Sequence, residues 1–201
     1  MEIKAELIKP YTEEERMEFI VKQNHELGYE IKETKTALEA WGYTEEELKQ
    51  QRKERISQLS MTRGDVFEAL ILAKGLGKTQ IRVMIEQAEL DTVTKALYLN
   101  RFDEALEFYR GYPIFDMLGQ ALGITGEMLD RFFETKDYHY LTTCKLTINV
   151  TPTEATVTGA GNYPYGTTAH YKVEREGYMT VEGDIEMVKD ATLEFTLEAA
   201  E

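Results

Sequence analysis

Cysteine is almost missing from this chain. Cys144 is the only one among 201 residues, so no disulfide can close within it, and redox compartment stays unread. Proline is scarce as well, at four residues, and with 42% hydrophobic content this excludes a disordered polypeptide. No apolar run approaches the ~20 residues that a helix needs to cross a bilayer. The opening "MEIKAELIKPYTEEE" lacks the apolar stretch of a secretory signal, so synthesis and folding in a cytoplasm are expected. Basic residues are outnumbered, 23 against 37 acidic, and the deficit runs along the chain: net −8 over residues 1–144 and −6 over 145–201. An acidic surface on both stretches repels phosphate backbones, which argues against a nucleic-acid partner.

Reactive motifs are lacking too. "LAKGLGKTQI", residues 72–81, ends like a phosphate-binding loop. That loop needs a glycine where Leu72 stands and a buried strand before it, whereas Val66–Ala73 has its apolar residues at helical spacing. Arg63-Gly64-Asp65 spells an adhesion tripeptide, yet Thr62 and Asp65 have the pattern of a helix cap and a first-turn acid. "HELGY", from His25, starts like a zinc-binding H-E-x-x-H but places Tyr29 where the second imidazole belongs. His139 and His170 are isolated in sequence, and neither a nucleophile elbow nor a cysteine–histidine relay is present. The expectation is a protein with no catalytic residues, no metal and no cofactor, and not an enzyme.

What the sequence does have is a change of period. Residues 1–138 read as mostly helical with a few short strands. Thr12 and Glu15 form a capping box, as do Thr44 and Glu47, and Thr62 and Thr125 start further helices. Gly28 and Gly75 close two of them. "YEIKETKTALEAWG" reads as two short strands or a hairpin that pairs with the alternating "EIKAELI", and Trp41 is expected to close that small core. The longest expected helix is "TVTKALYLNRFDEALEFYR", with Val93, Ala96, Leu97, Ala105, Leu106 and Tyr109 on one stripe; Gly111 and Pro113 end it.

After residue 138 the alternation is two. "KLTINVT", "ATVTG", "AHYKVER", "GDIEMV" and "TLEFTLE" read as strands of a small antiparallel sandwich or meander over 144–201. Tyr171 shares a face with Val173 and is assigned to the core. Tyr163 and Tyr165 flank Pro164 in a glycine-bounded stretch expected to be an exposed turn, where such rings stack on sugars or anchor an interface.

Two resemblances add to this reading. "ERMEFIVKQNHELGYEIKETKTALEAWGYTEEE" (15–47), "MTRGDVFEALILAKG" and "FDEALEFYRGYPIFDMLGQALGIT" resemble small tail-region proteins of phages and prophages of Gram-positive bacteria. "LTINVTPTEATVTG" and "YGTTAHYKVEREGYMTVEGDIEMVKDATLEFTLE" are similar to the PEGA-type surface module, a small β-sandwich. The match runs through Pro152, Ala155, Val157, Gly166 and the Gly177-Tyr178 pair, and departs at the name-giving motif, which reads Pro-Thr-Glu-Ala from Pro152 to Ala155.

These features combine into one expectation: an α+β chain with an α-rich region over 1–138, subdivided near residue 60, and a β-sandwich over 144–201. The resemblances imply a non-enzymatic phage tail, baseplate or fibre-associated structural component, made in the host cytoplasm and located in the virion. Its partners would be other tail or fibre proteins, with a host-surface glycan or self-association as further options. Tyr163, Pro164 and Tyr165 would form the contact surface. The alternatives are a tail-fibre assembly factor absent from the virion and a cell-wall glycan hydrolase.

Overall fold

Local capping chemistry sets most helix boundaries. In the computed structural model, which describes residues 1–200, Thr12 accepts from the Glu15 N–H while the Glu15 carboxylate accepts from the Thr12 N–H at 2.7 Å. Thr44 and Glu47 repeat the arrangement at 2.8 and 3.1 Å. Thr62 and Thr125 cap as the sequence indicates, and Gly75 ends its helix in the left-handed conformation at φ 68°. The chain divides into two units, one over Met1–Arg55 and one from Ile56 onward.

In the first unit, β1 (Glu2–Ile8), β2 (Glu30–Glu33) and β3 (Ala37–Gly42) form an antiparallel sheet in the order β1-β3-β2. The alternating N-terminal segment therefore pairs as expected, with Ile8 opposite Ala37 and Ile3 opposite Trp41. Between β1 and β2 lie α1 (Glu13–Ile20) and a π-helical turn, Val21–Glu26. Trp41 does not close the core. The period of two puts Leu38 and Ala40 on the buried face, at 1% and 0% exposure, and Trp41 beside Glu39 on the other. After β3, the Thr44 cap opens α2 (Glu45–Ser57).

The second unit begins with β4 (Ser60–Thr62), α3 (Arg63–Lys74), α4 (Lys78–Gln87) and α5 (Thr92–Glu104). It continues through β5 (Glu107–Tyr109), α6 (Pro113–Leu122), α7 (Gly126–Thr135) and a 3-10 turn, Tyr138–Leu141. A run of edge-on aromatic contacts, Phe67–Phe102, Phe108–Phe115, Phe115–Phe133 and Phe132–Phe133, has ring centroids 5.1 to 5.7 Å apart and threads this core.

Here the structure corrects the expected long helix. Ala105 leaves helical geometry at ψ 135°, and Glu107–Tyr109 pairs with Ser60–Thr62 as a two-stranded ribbon, Met61 opposite Phe108. Packing Phe108 to 3% exposure against Phe67 and Phe115 overrides the helical tendency of "FDEALEFYR". The rotation of α5 also differs. Phe102 is its buried residue, while Val93 and Leu97 stand 69% and 59% exposed. Pro113, expected after a helix end, occupies the first turn of α6.

One charged side chain is buried among the described residues. Arg110 follows β5, is 9% exposed, and donates to Asp130 on α7 at 2.7 Å and to the Gly126 carbonyl at 3.4 Å; Asp116 on α6 lies 3.0 Å away.

The alternating segments form β6 (Thr143–Thr151), β7 (Thr156–Thr158), β8 (Gly161–Pro164), β9 (Thr167–Glu174), β10 (Val181–Met187) and β11 (Ala191–Thr196). They make two three-stranded sheets, β10-β9-β7 and β11-β6-β8. Cys144 and Leu146 from the second sheet meet Ala169 and Met187 from the first in one core. Every pair is antiparallel except β11 on β6, which runs parallel from Ala191 opposite Leu146 to Thr196 opposite Thr151. Gly159 is required where the chain passes β9: at φ 90°, a Cβ there would sit 2.2 Å from the His170 carbonyl oxygen. The architecture is α+β. The change of period at 138–144 lies inside the second unit, and the division of the chain falls at 55/56.

Two outcomes follow from this packing. Asp130→Asn should cost about 2–3 kcal/mol in urea unfolding, because Asp130 is the shielded partner of a buried guanidinium. Asp116→Asn should cost under about 0.5 kcal/mol, since Asp116 is 64% exposed and its pair is screened. Equal losses would refute that ranking. At the α2 cap, the N-terminal ammonium and then the Thr44 N–H hold Glu47 down to about 2, from an ordinary 4.5. Its contribution is present above the ordinary value and is lost as pH falls through about 2. A carboxyl titration of Glu47 by NMR should therefore show a midpoint near 2. Thr44→Ala should move it back upward.

Candidate interaction site

The motif fragments are absorbed by structure. Leu72 lies on α3 and Gly77 caps α4, so no strand precedes the Gly-Lys-Thr segment. Lys78 is 3.5 Å from Asp103, and Arg82 pairs with the same carboxylate. Among the described residues no group of three or more histidine, cysteine or acidic side chains could hold a metal ion. His139 and His170 each face a single carboxylate, Asp137 at 2.6 Å and Asp184 at 2.9 Å. Cys144 is 5% exposed, and burial, reinforced by the Asp190 charge, pushes its thiol up and away from the reactive thiolate.

Tyr163, Pro164 and Tyr165 are not an exposed turn tip. Tyr163 and Pro164 belong to β8, paired with β6 opposite Cys144 and Thr143, and all three residues are half-buried. The Tyr163 hydroxyl donates to the Gly159 carbonyl at 2.7 Å, so it points inward. The Tyr165 ring stacks on His139 at 5.1 Å and meets Tyr140 edge-on at 5.3 Å, and its N–H donates to Thr142. Loss of solvent, then the negative charge of Asp137, raises its phenol above the ordinary value. Both rings pack against the core of the β module. Glycine flanks suggested a loop, but the apolar demand of a small sandwich draws the rings in.

What these residues keep is a small recess. Pro164 and Tyr165 line a pocket of about 130 Å³ with Met128 and Arg131 of α7 and with Tyr140 and Thr167. Arg131 supplies a cationic wall, and the ring and pyrrolidine supply apolar area. Such a recess can seat one side chain of another protein.

A larger surface escaped the periodicity argument. Val93, Ala96 and Leu97 occupy positions i, i+3 and i+4 on α5, so they form one stripe, and all three are exposed. Leu106, just past the end of α5, is 80% exposed. The stripe itself was legible; the side of the helix turned to the core was not, because that depends on what Phe102 touches.

Replacing Tyr163 or Tyr165 by alanine should cost about 2 kcal/mol each in thermal unfolding, the loss expected for a packed ring. Losses below about 0.5 kcal/mol would mean that the rings are held by nothing.

Comparison with known protein families, curated proteins and solved structures gives no match to this chain.

Proposed function

We propose that this chain is a non-enzymatic structural component of a phage tail or baseplate, held in its assembly through the helical set. The observation that supports the reading is the outward stripe of α5. A capped helix that turns Val93, Ala96 and Leu97 to solvent leaves apolar area that a partner would cover. The chain pays no visible penalty for it elsewhere, since Phe102, Phe108 and Phe115 complete the core without α5's other face. Resemblance of residues 15–47 and of the later helical segments to tail-region proteins of Gram-positive phages gives the setting. The partners in this reading are other tail or fibre proteins, and the place is the virion.

The β module makes the second contact, to a neighbouring protein or the host surface. Pro164 and Tyr165 are its contact residues, through the recess beside Arg131. Tyr163 holds the strand in place from within.

Mass spectrometry of purified particles should find the chain at a fixed stoichiometry. Leu97→Asp, at an exposed position, should leave the melting temperature within about 2 °C of the parent. The same substitution should deplete the chain from particles. Absence of the parent chain from particles would instead point to a factor that acts in assembly and leaves. Incorporation of Leu97→Asp at the parent level would show that α5 is not the attachment face.

A further inference from the structure

The outer edge of β1 has no partner in its sheet. In the order β1-β3-β2, β1 has a neighbour on one side only. Main-chain alternation settles which groups face outward. Ile8 lies opposite Ala37, so Lys9 comes opposite Thr36, and the Lys9 N–H donates to the Thr36 carbonyl at 2.8 Å. Lys9, Leu7 and Ala5 therefore turn their N–H and C=O groups toward β3, while Ile8 and Glu6 turn theirs away. Ala37 gives the same phase, since its carbonyl accepts from Thr34 on the β2 side and not from Ile8. Among the described residues no loop, helix or side chain bonds to the main chain of Glu6 or Ile8. Their side chains are exposed as well, Ile8 at 61%.

Strand edges are usually blunted, and this one is blunted at its ends. The register shift between Ile3 and Ala5 interrupts it on one side, and Pro10, which has no N–H, closes it on the other. What stays open is the N–H and C=O of Glu6 and of Ile8. These groups are self-complementary. When two copies meet antiparallel on a two-fold axis at Leu7, Glu6 of each lies opposite Ile8 of the other. Each such pair exchanges both of its hydrogen bonds, and no outward group is left over. An axis at Glu6 would set two carboxylates against each other, and one at Ala5 would run the ladder into the bulge. The first unit also has little core of its own. Its buried apolar residues are Ala37, Leu38 and Ala40, whereas Ile3, Ile8, Met17, Val21, Leu27 and Leu48 are at least 39% exposed. Small units of this kind are commonly completed by association. We propose that the open edge of β1 pairs with β1 of a second copy of this chain, Glu6 opposite Ile8, joining two three-stranded sheets into one. Ile8 then lies against the aliphatic stem of Glu6 of the second copy. Leu7 meets its equivalent on the face that Leu38, its neighbour on β3, already buries. This association is independent of the tail reading, because it is a property of the purified chain.

The contact is small, so the dimer should be weak, and sedimentation equilibrium of the full chain should find its Kd between about 10 µM and about 1 mM. Ile8→Asp places a carboxylate opposite Glu6 and removes the apolar contact, and should weaken the dimer about tenfold or more. The double variant Glu6→Lys/Ile8→Asp sets opposite charges against each other at both places. It should return Kd to within about threefold of the parent. Glu6→Pro deletes one outward N–H, leaves every bond to β3 in place and should abolish the dimer. Ile8→Asp and the double variant change no main-chain group, so the decision does not depend on the proline being tolerated. A chain that stays monomeric up to about 1 mM overturns the proposal. So does a dimer that Ile8→Asp leaves at the parent Kd, which would move the contact to another surface such as α5. Failure of the double variant to regain what Ile8→Asp loses overturns the Glu6–Ile8 register and the pairing with it.

Discussion

The Arg110 guanidinium is the fixed point of the second unit. Its backbone N–H donates to the Leu59 carbonyl at 2.9 Å, and the next N–H, from Gly111, donates to Ser57 at 3.1 Å. Gly111 lies so close to that segment that a Cβ would meet the Ser57 carbonyl oxygen at 2.9 Å. While the main chain stays against residues 57–59, the side chain crosses to Asp130 and the Gly126 carbonyl on α7. One residue thus ties the β4–β5 ribbon to the last helices of the set. Taking a guanidinium out of water is costly, and the paired carboxylate and carbonyl offset that cost only in this arrangement. Removing either partner would leave the other charged and shielded from water, which is the larger cost.

The course of α5 follows from that anchorage. With Tyr109 held opposite Ser60 and Arg110 against Leu59, the chain cannot continue as helix through Phe108. It leaves α5 at Ala105, and Phe108 enters the core from a strand. Phe102 stacks on Phe108 at 6.5 Å and meets Phe67 at 5.1 Å, which fixes the rotation of α5 about its axis. Residues 93, 96 and 97 then point away from the core by helical geometry alone. The apolar stripe on the surface is therefore a consequence of where two phenylalanines are held. The fold leaves that apolar area in contact with water.

Features encoded within four or five residues were legible in the sequence. The Thr12–Glu15 and Thr44–Glu47 boxes, the Thr62 and Thr125 caps and the Gly75 stop depend on near neighbours, and all appear where the pattern places them. The pairing of "EIKAELI" with β3 was legible because both are short β-tending segments near each other in the chain. The misses are all non-local. Trp41 was assigned to the wrong face because a period of two fixes which residues share a side without saying which side is buried. Phe108 became a strand residue because of Met61, 47 positions earlier. Tyr163 and Tyr165 looked exposed from their glycine flanks, yet the sandwich is short of apolar side chains and recruits them.

The α5 stripe and the recess of the β module differ in shape, and shape decides what each can recognise. The α5 stripe is a convex row of aliphatic side chains with no hydrogen-bonding group among them. Its gain on contact scales with the apolar area covered, so it suits a broad partner that brings a groove of its own. The recess beside Pro164 and Tyr165 is concave and small, about 130 Å³, with Arg131 as its cationic wall. It offers little area, which suits one inserted side chain rather than a broad face. Neither surface can substitute for the other: a single side chain would leave the stripe exposed, and a broad apolar groove could not enter the recess. A chain carrying both can present a broad apolar face to one contact and a narrow recess to another.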